Sequence, residues 1–120
     1  MARSDREWAD DILAAITDIR HDTVAMDLKS FAASPVVVRS VLYSIGVIGE
    51  ASKRLGDEFK LGHPGIPRRA IASMRDRVVH EYFRTSVNRI WDIVTDDLDP
   101  LEASLRAPPP TSDDGSNQPP

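Results

Sequence analysis

The sequence predicts an all-α fold, a four- to five-helix bundle with its helices running up and down. Two observations carry this. Apolar residues recur at spacings of three and four along most of the chain, the period of an amphipathic helix, and no stretch alternates as a strand would. The turn-forming run Leu61-Gly-His-Pro-Gly-Ile66 and the helix-starting pair Ser34-Pro35 fall between these stretches.

Each element has its own signal. Ser4-x-x-Glu7 is a capping box, and Trp8, Ile12, Ala15 or Ile16, and Ile19 follow as the stripe of a first helix that runs to the mid-twenties. A connector holds Asp27, Lys29 and Phe31. Ser34 is an N-cap, and Pro35 suits the first helical position. The second helix carries Val38, Val41 or Leu42, Ile45, Ile48, Ser52, Leu55 and Phe59 on one stripe. Gly46 and Gly49 lie inside it, where small residues allow close packing. Leu61 to Ile66 reads as a loop, and Pro67 opens a third helix with Ile71, Met74 and Val78 inward. Thr85 is the expected cap of a fourth, with Val87, Ile90 or Trp91, Val94, Leu98, Leu101 and Leu105. Pro100 is expected to kink or break that helix. Both Trp8 and Trp91 read as core. From Ala107 onward the proline-rich, polar tail cannot bury apolar area and is expected to be disordered. The domain division is therefore 1–106 for the helical unit and 107–120 for the tail.

Composition narrows the function classes. A chain of 120 residues builds one small core, which association with a second copy would help. There is no cysteine, so disulfides and thiolate chemistry are excluded. The opening residues lack the apolar run of a secretory signal, and no apolar run approaches the ~20 residues of a membrane span. A soluble cytoplasmic protein is expected. The net charge of −4 is unevenly spread. Between Ile66 and Arg89 stand Arg68, Arg69, Arg75, Arg77, Arg84 and Arg89 against Asp76 and Glu81. Such a basic patch in an acidic chain is a footprint for phosphates, or else a solvated helix face.

The most informative segment is Arg75-Asp76-Arg77-Val78-Val79-His80-Glu81-Tyr82-Phe83. Arginine presents a permanent, planar cation that suits phosphate. Histidine takes and gives protons near neutral pH. Together they suffice for RNA cleavage without metal, with a base at the 2′-hydroxyl and a cation at the phosphate. On a helix, Arg75 and His80 stand about 140° apart, whereas Arg75 and Tyr82 share a face. A twofold axis that duplicates the motif would bring the groups together. As ordinary surface residues, Asp76–His80 and Arg77–Glu81 would be helix pairs worth ~0.3–0.5 kcal/mol each. Other constellations are weaker. His21, His63 and His80 lie far apart in sequence, so no metal site is expected. Asp10-Asp11 and Asp96-Asp97 read as surface charge. Glu50 reads as a buried partner for Arg75 or as a rim residue.

The ordered set Arg75-x4-His80-x-Tyr82 resembles the motif of the HEPN superfamily in its HepT-like toxin branch. Ile48-Gly49-Glu50-Ala51 with Lys53-Arg54-Leu55, His63-Pro64, Ile66-Pro67, Trp91-Asp92-Ile93-Val94 and Asp97-Leu98-Asp99-Pro100-Leu101 resemble its flanking segments. The likeness covers about residues 5 to 106. Arg68 stands where the family often has an aromatic residue, and Glu81 where it often has glycine. The resemblance implies a homodimeric, metal-independent endoribonuclease toxin of a type VII-like toxin–antitoxin pair, needing no cofactor. Arg75 and His80 would be catalytic, and Arg68, Arg69, Arg77 and Arg84 would hold RNA. It further implies a small nucleotidyltransferase antitoxin, encoded next to it, that attaches AMP to Tyr82. The same features also suit a non-catalytic helical module that docks a nucleotidyltransferase or a nucleotide.

Overall fold

The computed structural model describes residues 3–63 and 86–107, and all described regular elements are helical. Helix α1 spans Asp5–Asp22. Its capping box is formed as the sequence predicts: Ser4 Oγ accepts from the Glu7 N–H, and the Glu7 carboxylate accepts from the Ser4 N–H. Ile12, Ile16 and Ile19 are fully buried, while Trp8 packs half-buried at the edge of the core. The helix stops at Asp22, slightly short of the expected mid-twenties, because Ala25 turns the chain at a φ of 60°.

The connector is itself helical. Helix α2, Leu28–Ala32, is closed by a second capping box in which Asp27 accepts from the Ser30 N–H and Ser30 Oγ accepts from the Asp27 N–H. This turn drives Phe31 into the core, where it meets Trp91 with ring centroids 5.0 Å apart.

Helix α3, Pro35–Arg54, begins with proline in the first turn as expected, although Ser34 makes no side-chain cap bond. It packs along α1 as the most extensive helix pair among the described elements. Val41, Ile45, Ile48 and Ser52 face inward. The helix does not continue to Phe59. It ends at Arg54, and Gly56 starts a new helix, α4, Asp57–Gly62. The Gly56 N–H donates to the Asp5 carboxylate at 3.0 Å, so the start of α1 holds the break in place. Leu61 and Gly62 therefore belong to a helix and not to the expected loop, which lies in part outside the described residues.

Helix α5 spans Val87–Asp92 and is capped by Ser86, whose Oγ accepts from the Asn88 N–H. Thr85, the expected cap, lies outside the described residues. The helix then widens into a π-helical turn, Ile93–Asp97, and continues as α6, Leu98–Arg106. The chain is neither broken nor sharply ended at Pro100. A proline inside a helix lacks one N–H and crowds the carbonyl four residues back. The wider turn directly ahead of Pro100 is where that conflict is absorbed. It also accommodates a spacing of five between Ile93 and Leu98, both buried, which a regular α-helix would place about 140° apart. Ile90, Leu101 and Leu105 complete the inward face.

Helix α6 is tied to α1 through Arg20, which pairs with Asp99 and with Glu102, the latter at 3.1 Å. Among the described residues, no helix is long and apolar enough to cross a membrane. The expected third helix, from Pro67, and the tail from Pro108 lie outside the described residues.

Candidate functional site

The residues with the strongest chemical signal, Arg75, His80 and Tyr82, lie outside the described residues, as do Arg68, Arg69, Arg77 and Arg84. What the described part supplies is the framework on both sides of that segment, Glu50, and two surface depressions.

On the N-terminal side, α4 ends at His63. Its ring stacks on Phe59, with centroids 4.0 Å apart and planes 15° from parallel. The Nδ1 lies 2.9 Å from the Phe59 carbonyl oxygen; a carbonyl only accepts, so Nδ1 carries the hydrogen. His63 is buried by these contacts, which gives it a structural role as the stop of α4. Around it lies a cleft of about 530 Å³ lined by Asp5, Arg6, Glu58, Phe59, His63 and Arg106, among others. Its charges are of both signs. On the C-terminal side, the chain re-enters at Ser86, and α5 packs against α2.

Glu50 is exposed, and its carboxylate pairs with Arg54 one turn later at 3.1 Å. It is therefore a rim residue rather than a buried one. The reason lies in the helix period: Glu50 falls on the face of α3 opposite Ile45, Ile48 and Ser52.

That face borders a second depression, about 460 Å³, between α1 and α3. Trp8, Leu42, Val47 and Ala51 form its apolar surface, and Arg39, Tyr43, Asp11 and Glu50 stand around it. The Arg3 guanidinium lies 4.3 Å from the Trp8 ring centroid and pairs with Asp11 at 2.6 Å. The hydrogen bond between them raises Arg3 above the ordinary arginine value and lowers Asp11 below the usual carboxylate range. Sequence reading does not single out Arg39 or Tyr43. Their signal is the spacing Val36, Arg39, Tyr43, Gly46, Glu50, a second helical stripe on the face opposite the core.

The acidic residues read as surface charge are placed as expected for the first pair: Asp10 pairs with Arg6 and Asp11 with Arg3. Asp97 differs, being partly buried at the π-helical turn. Burial, with Asp96 and Asp92 adding repulsion, raises its pKa above the usual carboxylate value. Among the described residues, no three histidine or carboxylate side chains gather as a metal site would need.

Comparison with known proteins bears on the whole helical unit. Residues 12–107 match the HepT-like ribonuclease family, a stretch that includes Arg75, His80 and Tyr82. The chain is 35% identical over 105 residues to a protein of Thermococcus cleftensis named probable ribonuclease HepT, covering 88% of this chain and 96% of that one. It is 30% identical over 104 residues to a protein of Caldanaerobacter subterraneus subsp. tengcongensis described as a candidate RNase, covering 87% of this chain and 93% of that one. A Methanocaldococcus jannaschii protein described in the same way is 36% identical over 89 residues, 74% of each chain. No solved structure matches the chain at a comparable level. The family match over most of the chain, together with a relative aligned over nearly its full length, establishes that this protein belongs to the HepT-like ribonuclease family.

Proposed function

We propose that the chain is a metal-independent endoribonuclease and the toxin of a toxin–antitoxin pair. The observation that carries the reading is the complete Arg75-x4-His80-x-Tyr82 set inside the stretch that matches the family. In this reading His80 takes the proton from a ribose 2′-hydroxyl. The freed oxygen attacks the adjacent phosphorus, the bond to the 5′-oxygen breaks, that oxygen leaves as a 5′-hydroxyl after taking a proton from solvent or from the protonated His80, and a 2′,3′-cyclic phosphate remains. Arg75 stabilises the charge that builds on the phosphoryl oxygens. Arg68, Arg69, Arg77 and Arg84 hold the RNA backbone on either side. Glu50, an exposed residue on α3, serves as a rim residue of the framework. A homodimer supplies two copies of the motif at a twofold axis, where Arg75 and His80, about 140° apart on one helix, converge with their counterparts.

The antitoxin in this reading is a nucleotidyltransferase. The Tyr82 phenol attacks the α-phosphorus of ATP, pyrophosphate leaves, and the phenolic proton passes to solvent. The attached AMP places a negative phosphodiester among arginines that would otherwise hold RNA.

The test is cleavage of single-stranded RNA in EDTA by the purified, unmodified protein and by His80→Ala. The expected result is cleavage with cyclic ends by the wild type and a loss of about 10²–10⁴-fold in the variant. Equal rates would remove His80 from the chemistry. An inert wild type that still binds a nucleotidyltransferase would mark the chain as a docking module.

A further inference from the structure

We infer that the cleft between α1, α4 and α6 is a docking site for the chain's own C-terminal segment, with Pro108 to Pro110 on Phe59 and His63 and with Asp113 and Asp114 on the arginines at the rim. The inference does not rest on the ribonuclease reading.

The cleft stands where that segment starts. Leu105, Arg106 and Ala107 line it, and Ala107 is the last described residue, so the next residue departs from the cleft itself. The residues that follow, 108–120, lie beyond the stretch that matches the family and open Pro108-Pro109-Pro110-Thr111-Ser112-Asp113-Asp114.

The lining suits these residues in order. Phe59 and His63 present a stacked aromatic pair beside the buried Leu105. A proline run is already set in an extended helix, loses little entropy on docking and packs well against aromatic walls. Three such residues span about 9 Å, about the width of a cleft of 530 Å³. Charge places the residues that come next. The segment carries two carboxylates and no lysine or arginine. Arg6 and Arg106 both line the cleft with more than half of each side chain exposed. Arg6 commits its Nε and one terminal nitrogen to Asp10, whereas Arg106 commits its Nε to Glu102, so each guanidinium keeps donors to offer. Of the acids in the lining, Asp5 is engaged by the Gly56 N–H. Glu58 stands on α4 and turns the carboxylates of the segment toward the arginines instead. Asp113 is six steps from Ala107, about 19 Å of extended chain, enough to cross the cleft and turn back at Thr111-Ser112.

The tether decides the occupant. A segment joined at the cleft acts at an effective concentration in the millimolar range, so contacts too weak to hold a free peptide suffice within one chain. A nucleic acid suits the cleft less well, because Asp5 and Glu58 line it too. Docked in this way, the segment straps the end of α6 to α4, beside the point where the chain leaves His63.

Backbone order parameters from nitrogen-15 relaxation of the full chain test this. Prolines carry no amide hydrogen, so the reporters are Thr111 to Asp114 within the docked stretch and Gly115 to Gln118 beyond it. The first group should lie near about 0.85, the value of rigid backbone, and the second below about 0.6. Asp113→Lys/Asp114→Lys changes only residues beyond α6 and sets like charges against Arg6 and Arg106. It should bring residues 111–114 below about 0.6 and shift the amide signals of Gly62 and His63. Wild-type values below about 0.6 at residues 111–114, or values that the reversal leaves unmoved, would each overturn the proposal. So would order that vanishes on dilution, which would assign the segment to the cleft of a second copy. None of these outcomes bears on whether His80→Ala loses RNA cleavage.

Discussion

The Asp5 carboxylate accepts a hydrogen bond at 3.0 Å from the backbone N–H of Gly56, fifty-one residues further along the chain. One acidic side chain in the first turn of α1 thus caps the start of α4 and fixes where α3 stops. Asp5→Ala removes the acceptor and leaves a partly buried N–H without it. We expect a loss of about 1 kcal/mol in denaturant unfolding. Gly56→Ala should cost less, because the backbone there is ordinary extended geometry and the new Cβ would sit 3.2 Å from Asp5 Oδ2, a carboxylate free to shift a little.

Phe31 carries the contribution of α2 to the core. It is fully buried, and its ring lies against Trp91. Phe31→Ala should destabilise the fold by about 3–5 kcal/mol. Phe31→Leu should cost much less, as it keeps most of the volume. Thermal melts of the two variants would separate lost volume from lost aromatic contact.

Carboxylates at the two capping boxes and at the π-helical turn respond to pH with opposite sign. Glu7 and Asp27 are lowered, chiefly by the backbone hydrogen bonds they accept from Ser4 and Ser30. Their contribution is present above the ordinary values of 4.5 and 3.8 and is lost as pH falls through the lower folded values. Asp97 is raised by burial, so its contribution is present below 3.8 and is lost as pH rises through the folded value. Asp97→Asn should therefore melt higher than wild type at neutral pH, by about 1–3 °C. The gain should disappear in acid. Melting curves from pH 3 to 7 would show it, and a gain that persisted at pH 3 would assign the effect to packing.

The regulatory part of the proposal turns on Tyr82. Tyr82→Phe should retain RNA cleavage yet escape inactivation by the nucleotidyltransferase with ATP. Intact-mass spectra of the co-expressed wild type should show added steps of one AMP, absent from the variant. A wild type that gains no mass but is silenced would mean that the partner acts by occlusion.

Much of the fold is legible in local residue patterns. Ser4-x-x-Glu7 sets the start of α1, and Pro35 sets the start of α3, because both signals act within one turn. The stripe through Ile45, Ile48 and Ser52 names the buried face correctly. The same stripe misleads beyond Leu55. Phe59 continues the period, yet the helix stops, because the bond that holds the break comes from Asp5, far away in sequence. The helix around Phe31 is missed for a smaller reason: a capping box with serine at its far end, Asp27-x-x-Ser30, is a less familiar pattern than Ser-x-x-Glu. Ile93 is missed as a core residue because an α-helical period cannot place it with Leu98. For the site, sequence alone yields the Arg75, His80 and Tyr82 set, since its signal is residue type and order. Glu50 needed the fold, because burial depends on which face of α3 meets α1.

A helix that holds a surplus residue has room to give one up. In most helices a one-residue deletion rotates every later side chain by about 100° and scrambles the buried face. Between Ile93 and Leu98 the opposite holds. Removing Thr95 would shorten the interval to four, the natural α-helical step, and leave Leu98, Leu101 and Leu105 pointing inward. The penalty would fall on Pro100 alone, whose ring the tightened turn would press against the carbonyl four residues back. The π-helical turn is thus a length-tolerant joint, and it joins the two halves of a helix whose C-terminal half carries the Arg20 pairs to α1.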